Sequence, residues 1–246
     1  MFEDIFYRGK IVFENELMKH YHTAEMLLLY DGNFLQFKRM PTLHECEQSV
    51  DYLREFHQKN GQEHVKLLFP QDERIPEEIE HYLMSSGFGI GYMEMYRILP
   101  SQFVKVDKKP SVVVQKVTEA NWAQFLKLSF EIDAEISEEF AEHKRVIHEQ
   151  NWNDPKFLQL LAYFEGKPVG TVDVILKKET AEIDGLVVLP SYRNKGIGSQ
   201  IQQFVMEECA DKQVILVADG EDTPKEMYKK QNYQYEGFKY EALMLF

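Results

Sequence analysis

The sequence predicts an α+β fold in two domains, each built on a central mixed sheet flanked by helices. The chain has 246 residues, a length that fits one large domain or two small ones. Segments with the two-residue period of strands alternate with segments that have the period of helices. Pro100 and Pro110 bracket a polar segment directly before a new strand pattern, which indicates a boundary near Lys108. We therefore expect one domain in residues 1–108 and a second in residues 109–246.

The first half follows a β-α-β-α-β order. The triplet Asp31-Gly32-Asn33 is a turn signal between apolar residues, so residues 24–40 predict a hairpin. Thr42 is followed three residues later by Glu45, the spacing of a capping box at a helix start. The other expected elements are a strand at 65–69, a helix that Pro76 opens and Gly87 ends, and a strand at 91–99.

The second half predicts one sheet with several helices. A strand at 111–117 leads to a helix capped by Thr118, and a very acidic segment follows that helix. The remaining elements are strands at 157–164, 169–176, 182–188 and 214–218, helices at 197–212 and 224–231, and final strands at 234–238 and 241–246.

The charge balance excludes several classes of partner. The chain has 28 Lys and Arg against 41 Asp and Glu, a net charge of −13. Such a charge repels nucleic-acid backbones and anionic lipid surfaces, and no block of basic residues offsets it. The apolar runs are far shorter than the roughly 20 residues that span a bilayer, and the N-terminus lacks the pattern of a signal peptide. We expect a cytoplasmic protein that binds neither nucleic acid nor membrane.

Cysteines and histidines indicate neither disulfides nor a metal. The two cysteines, Cys46 and Cys209, lie far apart in sequence and fall on apolar helical stripes, so we expect buried thiols. The eight histidines show no zinc-type spacing. We predict no metal site.

The segment Arg193 to Ser199 carries the clearest chemical signal. It lies between a predicted strand and an amphipathic helix, and Gly196 and Gly198 allow a tight turn with close approach of a ligand to the backbone. The free N–H groups and the dipole at the helix start favour an anion. This pattern predicts a pyrophosphate site, although neither a Walker loop nor GxGxxG is present.

The string Ile183-x-x-Leu186-x-Val188-x-Pro190-x-Tyr192-Arg193-Asn194-Lys195-Gly196-Ile197-Gly198 resembles the coenzyme-A-binding motif of the GNAT superfamily of N-acyltransferases. The family's core pattern is [Q/R]-x-x-G-x-[G/A], and the resemblance extends from about residue 111 to the C-terminus. It implies acetyl-CoA as co-substrate, with the pantetheine arm along the strand and the pyrophosphate on the loop. The implied binding residues are Leu186, Val187, Val188, Arg193, Asn194, Lys195, Gly196, Ile197, Gly198 and Ser199.

The resemblance also implies catalytic residues. Glu182 stands where some family members carry the carboxylate that removes a proton from the amine, and Asp184 on the same strand is the rival base. Such a base is useful because an amine with a pKa near 10 is mostly protonated at pH 7. The Val188 N–H would stabilise the developing oxyanion. Tyr228, in a segment similar to the family's "lYeklGF", would protonate the departing thiolate.

Two positions depart from the family pattern. Asn232 replaces the usual glycine after the Tyr228 helix, and asparagine is the residue that best tolerates positive φ after glycine. Glu221 or Asp222 stands near the position where many members place an asparagine against the coenzyme. The resemblance therefore implies no asparagine contact with the coenzyme from this position.

The first half resembles a degenerate second copy of the same unit. The segment from His81 to Phe88 is similar to the Tyr228 segment, with Leu83 in the place of Tyr228. Pro41 and Thr42 stand where a coenzyme loop would need glycines. We expect a structural, GNAT-like first domain that binds no coenzyme A by that route.

The resulting prediction is an N-acetyltransferase that acts on a primary amine of a small molecule or peptide by direct attack. Two alternatives stay open: a non-catalytic acyl-CoA-binding sensor, and an aminoacyl transferase with a tRNA donor, which the negative charge argues against. We expect variable loops at 132–154 to build the acceptor pocket. The acidic residues there could attract a cationic acceptor or form a solvated helix face. The sequence gives no oligomeric state.

Overall fold

A computed structural model describes residues 2–221 and 225–246 of the chain. The chain divides into two compact units. The first unit comprises Met1–Met95, Ala218–Thr223 and Tyr235–Phe246, and the second comprises Tyr96–Val217 and Pro224–Gln234. The C-terminal strand thus belongs mainly to the first unit, whereas the sequence boundary near residue 108 stays a prediction.

The first unit is a mixed sheet with two helices. Its sheet has the order β1-β2-β3-β4-β11-β5, with β3 parallel to β4 and β11 antiparallel to β4. Its elements are β1 (Lys10–Glu14), β2 (Met18–His22), β3 (Phe34–Phe37), α1 (Leu43–Lys59), β4 (His64–Gln71), α2 (Glu77–Ser85) and most of β5 (Gly89–Ile98) and β11 (Gln234–Leu245).

The core of this unit lies between the helices and the sheet. Helix α1 places Cys46, Val50 and Leu53 on its buried face, and all three are fully buried. They join one cluster with the apolar side chains of β4, among them Val65 and Phe69. Strand β4 is buried on both faces, which explains its almost continuous apolar run.

The second unit is also a mixed sheet flanked by helices. Its sheet has the order β10-β9-β8-β7-β6, parallel between β9 and β10 and antiparallel elsewhere. Its elements are β6 (Val112–Lys116), α3 (Trp122–Asp133), α4 (Glu138–Asn153), β7 (Phe157–Phe164), β8 (Lys167–Leu176), β9 (Thr180–Val188), α5 (Ile197–Glu208), most of β10 (Gln213–Asp219) and α6 (Lys225–Lys230).

Helices α3 and α4 pack against each other, and α3 also packs on β8. The indole rings of Trp122 and Trp152 stack with their centroids 4.8 Å apart, beside the buried Phe125. Helix α5 packs on strands β6 to β9 through its apolar face, where Ile201 and Val205 are buried. The two tryptophans therefore belong to the packing of the second unit.

The structure confirms the predicted α+β class, with mixed sheets flanked by helices. The Thr42 hydroxyl accepts from the Glu45 N–H and the Glu45 side chain accepts from the Thr42 N–H, so the capping box of α1 is present. Cys46 and Cys209 are free and buried, as predicted. Among the described residues, no helix combines the length and the apolar character that crossing a bilayer requires.

Four sequence-based expectations about local structure are wrong. The hairpin pairs β2 with β3, so its first strand precedes residue 24. Thr118 does not cap α3, because Asn121 is the N-cap residue and its side chain accepts from the Thr118 N–H. Most of the segment 132–154 forms helix α4 rather than loops. The two expected final strands are the single strand β11, with an irregularity between Lys239 and Glu241.

The two units end one helix in the same way, as the predicted internal similarity requires. After α2 and after α6, two N–H groups bond back to carbonyls of the last turn in the pattern of a Schellman motif. These bonds are Phe88 N–H to Leu83 O (3.0 Å) and Gly87 N–H to Met84 O (3.1 Å), and Tyr233 N–H to Tyr228 O (3.0 Å) and Asn232 N–H to Lys229 O (3.1 Å). Leu83 therefore occupies the position of Tyr228 in this motif, and Leu83 is fully buried.

Candidate active site

Strand β9 changes its pairing halfway along its length. Its first residues pair in parallel with β10 as far as Ile183. Beyond that residue the described pairing of β9 is with β8, up to Val188 opposite Gly170. Gly185 has a φ of +59° and lies where the register of this pair shifts, which marks a β-bulge. The C-terminal part of β9 therefore has one backbone edge that can pair with an extended ligand.

The backbone of Val188 faces that edge. The Leu189 N–H donates to the Val169 carbonyl of β8 at 2.9 Å. Because the amides of an antiparallel strand point alternately to its two sides, the Val188 amide points away from β8. The Val188 carbonyl accepts a hydrogen bond from Arg193 Nε at 3.1 Å on that side. The Val188 N–H thus has the orientation that an oxyanion donor beside the splayed strand needs.

The segment after β9 turns sharply into α5. Asn194 and Gly196 have φ values of +61° and +84°, and Gly196 is the N-cap residue of α5. The first helical bond of this turn runs from the Gln200 N–H to the Gly196 carbonyl at 3.1 Å. The N–H groups that precede Gln200 in α5 have no i−4 partner within the helix. This loop is a backbone concavity of the kind that binds anions.

Three cationic side chains surround the loop. Arg193 and Lys195 belong to it, and the Lys195 ammonium lies 4.8 Å from the centroid of the Phe164 ring. Lys109 Nζ donates to the Lys195 carbonyl at 2.7 Å and would lie 3.1 Å from a Cβ atom on Gly196. Sequence reasoning missed Lys109, because it precedes the loop by 86 residues and no motif marks it. These cations offset the chain's negative charge locally.

Tyr228 lies on α6 within an aromatic group. Its ring centroid is 5.0 Å from that of Tyr96 and 5.5 Å from that of Tyr233, and its side chain is half-buried. Burial and, to a smaller extent, the nearby Tyr228 raise the pKa of Tyr233. Tyr233 is 6% exposed and its hydroxyl donates to a side chain of α5, whereas the side chain of Tyr228 is partly accessible.

Two hydrogen bonds tie the Tyr228 segment to α5. The Tyr233 hydroxyl donates to Gln202 Oε1 at 2.9 Å, and Gln231 Nε2 donates to Ser199 Oγ at 3.2 Å. Asn232 has a φ of +69°, which confirms that it takes the left-handed position expected for it. The proposed acid and the anion-binding loop are therefore held on connected elements of the second unit.

A cleft of about 120 Å³ opens beside the bulge of β9. Asp184 lines this cleft, whereas Glu182 is 5% exposed and, in the described part of the chain, is not among the lining residues. The cleft is lined by Phe125, Ser129, Ile132, Asp133, Lys144, His148, Thr171, Val172, Asp173, Asp184, Gly185 and Val187. Sequence reasoning placed the acceptor pocket in residues 132–154, which supply four of these twelve lining residues: Ile132, Asp133, Lys144 and His148.

The remaining predicted positions have different surroundings. The Glu221 N–H donates to Asp219 Oδ1 at 2.9 Å, so this exposed residue belongs to a local turn. Asp222 lies outside the described residues. Within the described ranges, no group of three or more His, Cys, Asp or Glu is arranged to hold a metal ion.

In the first unit, the start of helix α1 corresponds to the start of α5, and the side chain of Glu45 occupies it. The Glu45 carboxylate accepts from the Thr42 N–H at 2.9 Å and forms two hydrogen bonds with Arg39, at 2.9 and 2.6 Å. These hydrogen bonds, first from Arg39 and then from Thr42, lower the pKa of Glu45 to about 2. A fixed carboxylate at this position disfavours a second anion there. The expectation that the first copy binds no coenzyme A stays a prediction.

The second unit is thus an α+β domain in which a loop suited to anions follows a splayed, bulged strand. The acetyltransferase (GNAT) family matches residues 116–233, and a domain of unknown function, DUF5613, matches residues 1–96. Residues 116–233 are therefore a domain of the acetyltransferase (GNAT) family, and the first unit has a GNAT-like fold. No curated protein matches the chain.

Solved structures show the same fold over nearly the whole chain. A functionally unknown conserved protein from Staphylococcus epidermidis ATCC 12228 is 32% identical, with a TM-score of 0.89 over 100% of this chain and 97% of that one. A GCN5-related N-acetyltransferase from Kribbella flavida is 14% identical (TM-score 0.62; 96% and 89% covered). A tandem GNAT protein from the clavulanic acid biosynthesis pathway is 9% identical (TM-score 0.51; 86% and 75% covered).

Proposed function

We propose that the second unit transfers an acetyl group from acetyl-CoA to a primary amine of a small molecule or peptide. The observation that carries this proposal is the loop from Asn194 to Gly196, which has two left-handed residues and opens onto the free N–H groups of α5. It lies within the segment that matches the acetyltransferase family. The matched family and the fold support acyl transfer in general, and the residue roles below are our proposal.

The residues present fit coenzyme A. The N–H groups from Asn194 to Ser199 would bind the pyrophosphate. The Arg193 N–H donates to the Pro190 carbonyl at 3.2 Å, so Arg193 would contribute through its side chain. Gly196 keeps the loop open, because a Cβ atom there would stand 3.1 Å from Lys109 Nζ. Lys109 adds a cation that the sequence-based assignment omitted. The edge of β9 from Leu186 to Val188 would pair with the pantetheine arm as an added strand does.

Acetyl-CoA supplies an acyl group activated as a thioester. A carboxylate of β9 takes a proton from the amine nitrogen, whose lone pair forms the new C–N bond. The Val188 N–H stabilises the negative charge that develops on the carbonyl oxygen. As the C–S bond breaks, the Tyr228 hydroxyl gives its proton to the sulfur, and the proton held by the carboxylate returns to the tyrosine through water, which balances the step.

Two carboxylates compete for the role of base. Glu182 has the sequence position expected of the family's base, but its side chain is buried. Asp184 lines the cleft, which favours direct contact with an acceptor there, whereas Glu182 would have to act through water. The variants Glu182→Gln and Asp184→Asn separate the two. Only loss of the true base lowers kcat and removes the rise of kcat/KM with pH.

Binding of the co-substrate is tested with Gly196→Ala and isothermal titration calorimetry. Alanine at a φ of +84° costs about 1–2 kcal/mol of strain and adds a Cβ atom in the loop. We expect acetyl-CoA affinity to fall at least about tenfold, or ~1.4 kcal/mol. The matched control is Gly61→Ala, which has a similar φ of +73° and no atoms within 4 Å. Equal affinity in both variants would refute the loop assignment.

Catalysis is tested by thiol release from acetyl-CoA against polyamines, amino acids, aminoglycosides and peptides with free N-termini. A Tyr228→Phe variant that folds and turns over normally would refute its role as acid. The alternative function is an acyl-CoA-binding sensor, which predicts acetyl-CoA binding that Gly196→Ala weakens but no thiol release with any amine.

A further inference from the structure

The cleft beside β9 has a polar wall with an excess of negative charge. Asp173 and Asp184 are direct partners in the register of β8 and β9, and both line the cleft. Like charges directly opposite each other in a sheet are unfavourable. Asp133 and Lys144 contribute the other full charges, so three carboxylates face one ammonium. This arrangement favours a cationic ligand.

Hydrogen bonds hold two of these carboxylates in place. Asn151 Nδ2 donates to Asp173 Oδ2 at 2.6 Å, and His148 Nε2 lies 3.1 Å from Asp133 Oδ2. Asp133 comes from the end of α3, whereas Asp173 and Asp184 come from the sheet. The negative charge is therefore supplied from two different elements around the cleft rather than from one point.

A buried hydroxyl gives an independent indication of a ligand. Ser129 lines the cleft and is 3% exposed, yet within the described residues its Oγ has no hydrogen-bond partner. The same holds for Nδ1 of His148. A buried hydroxyl without a hydrogen-bond partner destabilises the folded protein. A ligand with N–H groups would satisfy these atoms.

The rest of the lining is apolar. Phe125, Ile132, Val172 and Val187 contribute to the cleft alongside the charged residues. A wall of this kind suits methylene groups, because removing each CH₂ group from water favours binding. Carboxylates from two elements and an apolar lining together match a chain of methylenes with a cation at each end.

We propose that this cleft binds the amine acceptor and selects an aliphatic diamine or polyamine over a monoamine. The role of this ligand as the acetyl acceptor rests on the proposed function, whereas the binding of a diamine in the cleft does not. One ammonium group lies at the Asp173 and Asp184 pair on the sheet, next to the bulge. The second lies at Asp133, with Ser129 Oγ accepting one of its N–H bonds.

Calorimetry on the full chain without coenzyme tests the binding directly. The probes are 1,4-diaminobutane and butylamine, which differ by one ammonium group. We expect the diamine to bind at least about tenfold more tightly, and Asp133→Asn to remove this preference, because the second cation loses its charged partner. The asparagine oxygen can still accept from His148 Nε2, so the local hydrogen bond survives. The control Glu135→Gln removes an exposed charge near the cleft and should change the affinity less than twofold.

Ser129→Ala gives a second readout that a merely structural role would not produce. We expect diamine affinity to fall several-fold while the unfolding midpoint stays equal or rises, since the hydroxyl lacks a protein partner. Equal binding of diamine and butylamine, or unchanged preference in Asp133→Asn, overturns this inference. If the wild-type protein neither binds acetyl-CoA nor releases thiol, the proposed function is wrong. The diamine-binding experiment does not use coenzyme, so its result still tests this inference.

Discussion

Four histidines in the first unit make its stability depend on pH. His20 and His57 are fully buried, with ring centroids 6.1 Å apart, and His22 and His64 are their neighbours. Burial, reinforced by His22, lowers the pKa of His20 to about 4, and burial also lowers the pKa of His57 to about 3. Folding therefore holds both rings neutral.

The sign of the effect follows from linkage. A group whose folded pKa lies below its unfolded value near 6.5 contributes its full stability above that value and loses it as pH falls. Between pH 7 and pH 5, each of the two rings gains about 0.7 proton in the unfolded chain but at most about 0.1 in the folded one. This costs about 2 kcal/mol per histidine and ~4 kcal/mol for His20 and His57 together.

The groups that face these rings do not offset the loss. The Tyr52 hydroxyl lies 3.0 Å from Nδ1 of His20, and Nδ1 of His57 donates to the His64 carbonyl at 2.6 Å. Glu25 favours protonation only of His22. Glu45 affects the free energy of unfolding in a separate pH range. Its lowered pKa stabilises the folded unit at higher pH, and this contribution is lost only as pH falls below about 4.3.

Native-state hydrogen exchange measures the loss of stability in the first unit specifically. Both tryptophans lie in the second unit, so tryptophan fluorescence does not report on the first. We expect the opening free energy of β4 amides to fall by ~4 kcal/mol from pH 7 to pH 5. His20→Phe should roughly halve the loss, whereas His44→Asn, at an exposed site, should not change it. A loss below about 1 kcal/mol in the wild type would refute the reasoning.

Two further predictions concern the first unit. Lys239 is 4% exposed and burial lowers its pKa to about 8, so Lys239→Met should raise the free energy of unfolding by ~1–3 kcal/mol at pH 7. In urea titrations this gain should shrink as pH rises from about 8 toward 10.5, because the folded lysine is already neutral there and the unfolded lysine gradually loses its proton. A loss of stability at pH 7 would contradict the prediction. Leu83→Ala should cost about 2–5 kcal/mol in the same assay, since a buried leucine leaves a cavity, and a cost below 1 kcal/mol would show that its site collapses.

Local signals predicted the parts of the structure that depend on neighbouring residues. The capping box of Thr42 and Glu45, the left-handed Gly196 and the Asn232 turn are each decided within a few residues, and each is present. The assignments of Glu182 and Tyr228 to catalysis depend on the family motif and stay predictions. Neighbouring residues therefore predict the backbone conformation of the loop, but they do not identify the catalytic residues.

Other features depend on residues far apart in the chain. Helix α4 is rich in charge and has a weak apolar face, so its sequence resembles a solvated segment until it packs on α3. Strand β11 pairs with β4, more than 160 residues earlier, and no local pattern specifies that partner. The cleft is likewise assembled from α3, α4, β8 and β9, which explains why Ser129 and Asp173 carried no signal in sequence.

The two copies differ at the third residue of one helix. This position holds Glu45 in α1 and Ser199 in α5, and the first turn of α5 contains no acidic residue. Ser199→Glu should therefore close the second loop as Glu45 closes the first. A carboxylate there stabilises the helix start by ~0.3–1 kcal/mol and repels a diphosphate.

We expect Ser199→Glu to raise the unfolding midpoint while calorimetric affinity for acetyl-CoA falls at least about tenfold. Ser199→Gln, which has the same size without the charge, should bind acetyl-CoA substantially better than the glutamate variant. Opposite signs for stability and binding separate this effect from misfolding, because a misfolded loop would lower both. Equal affinity in the two variants would show that the start of α5 does not hold the diphosphate.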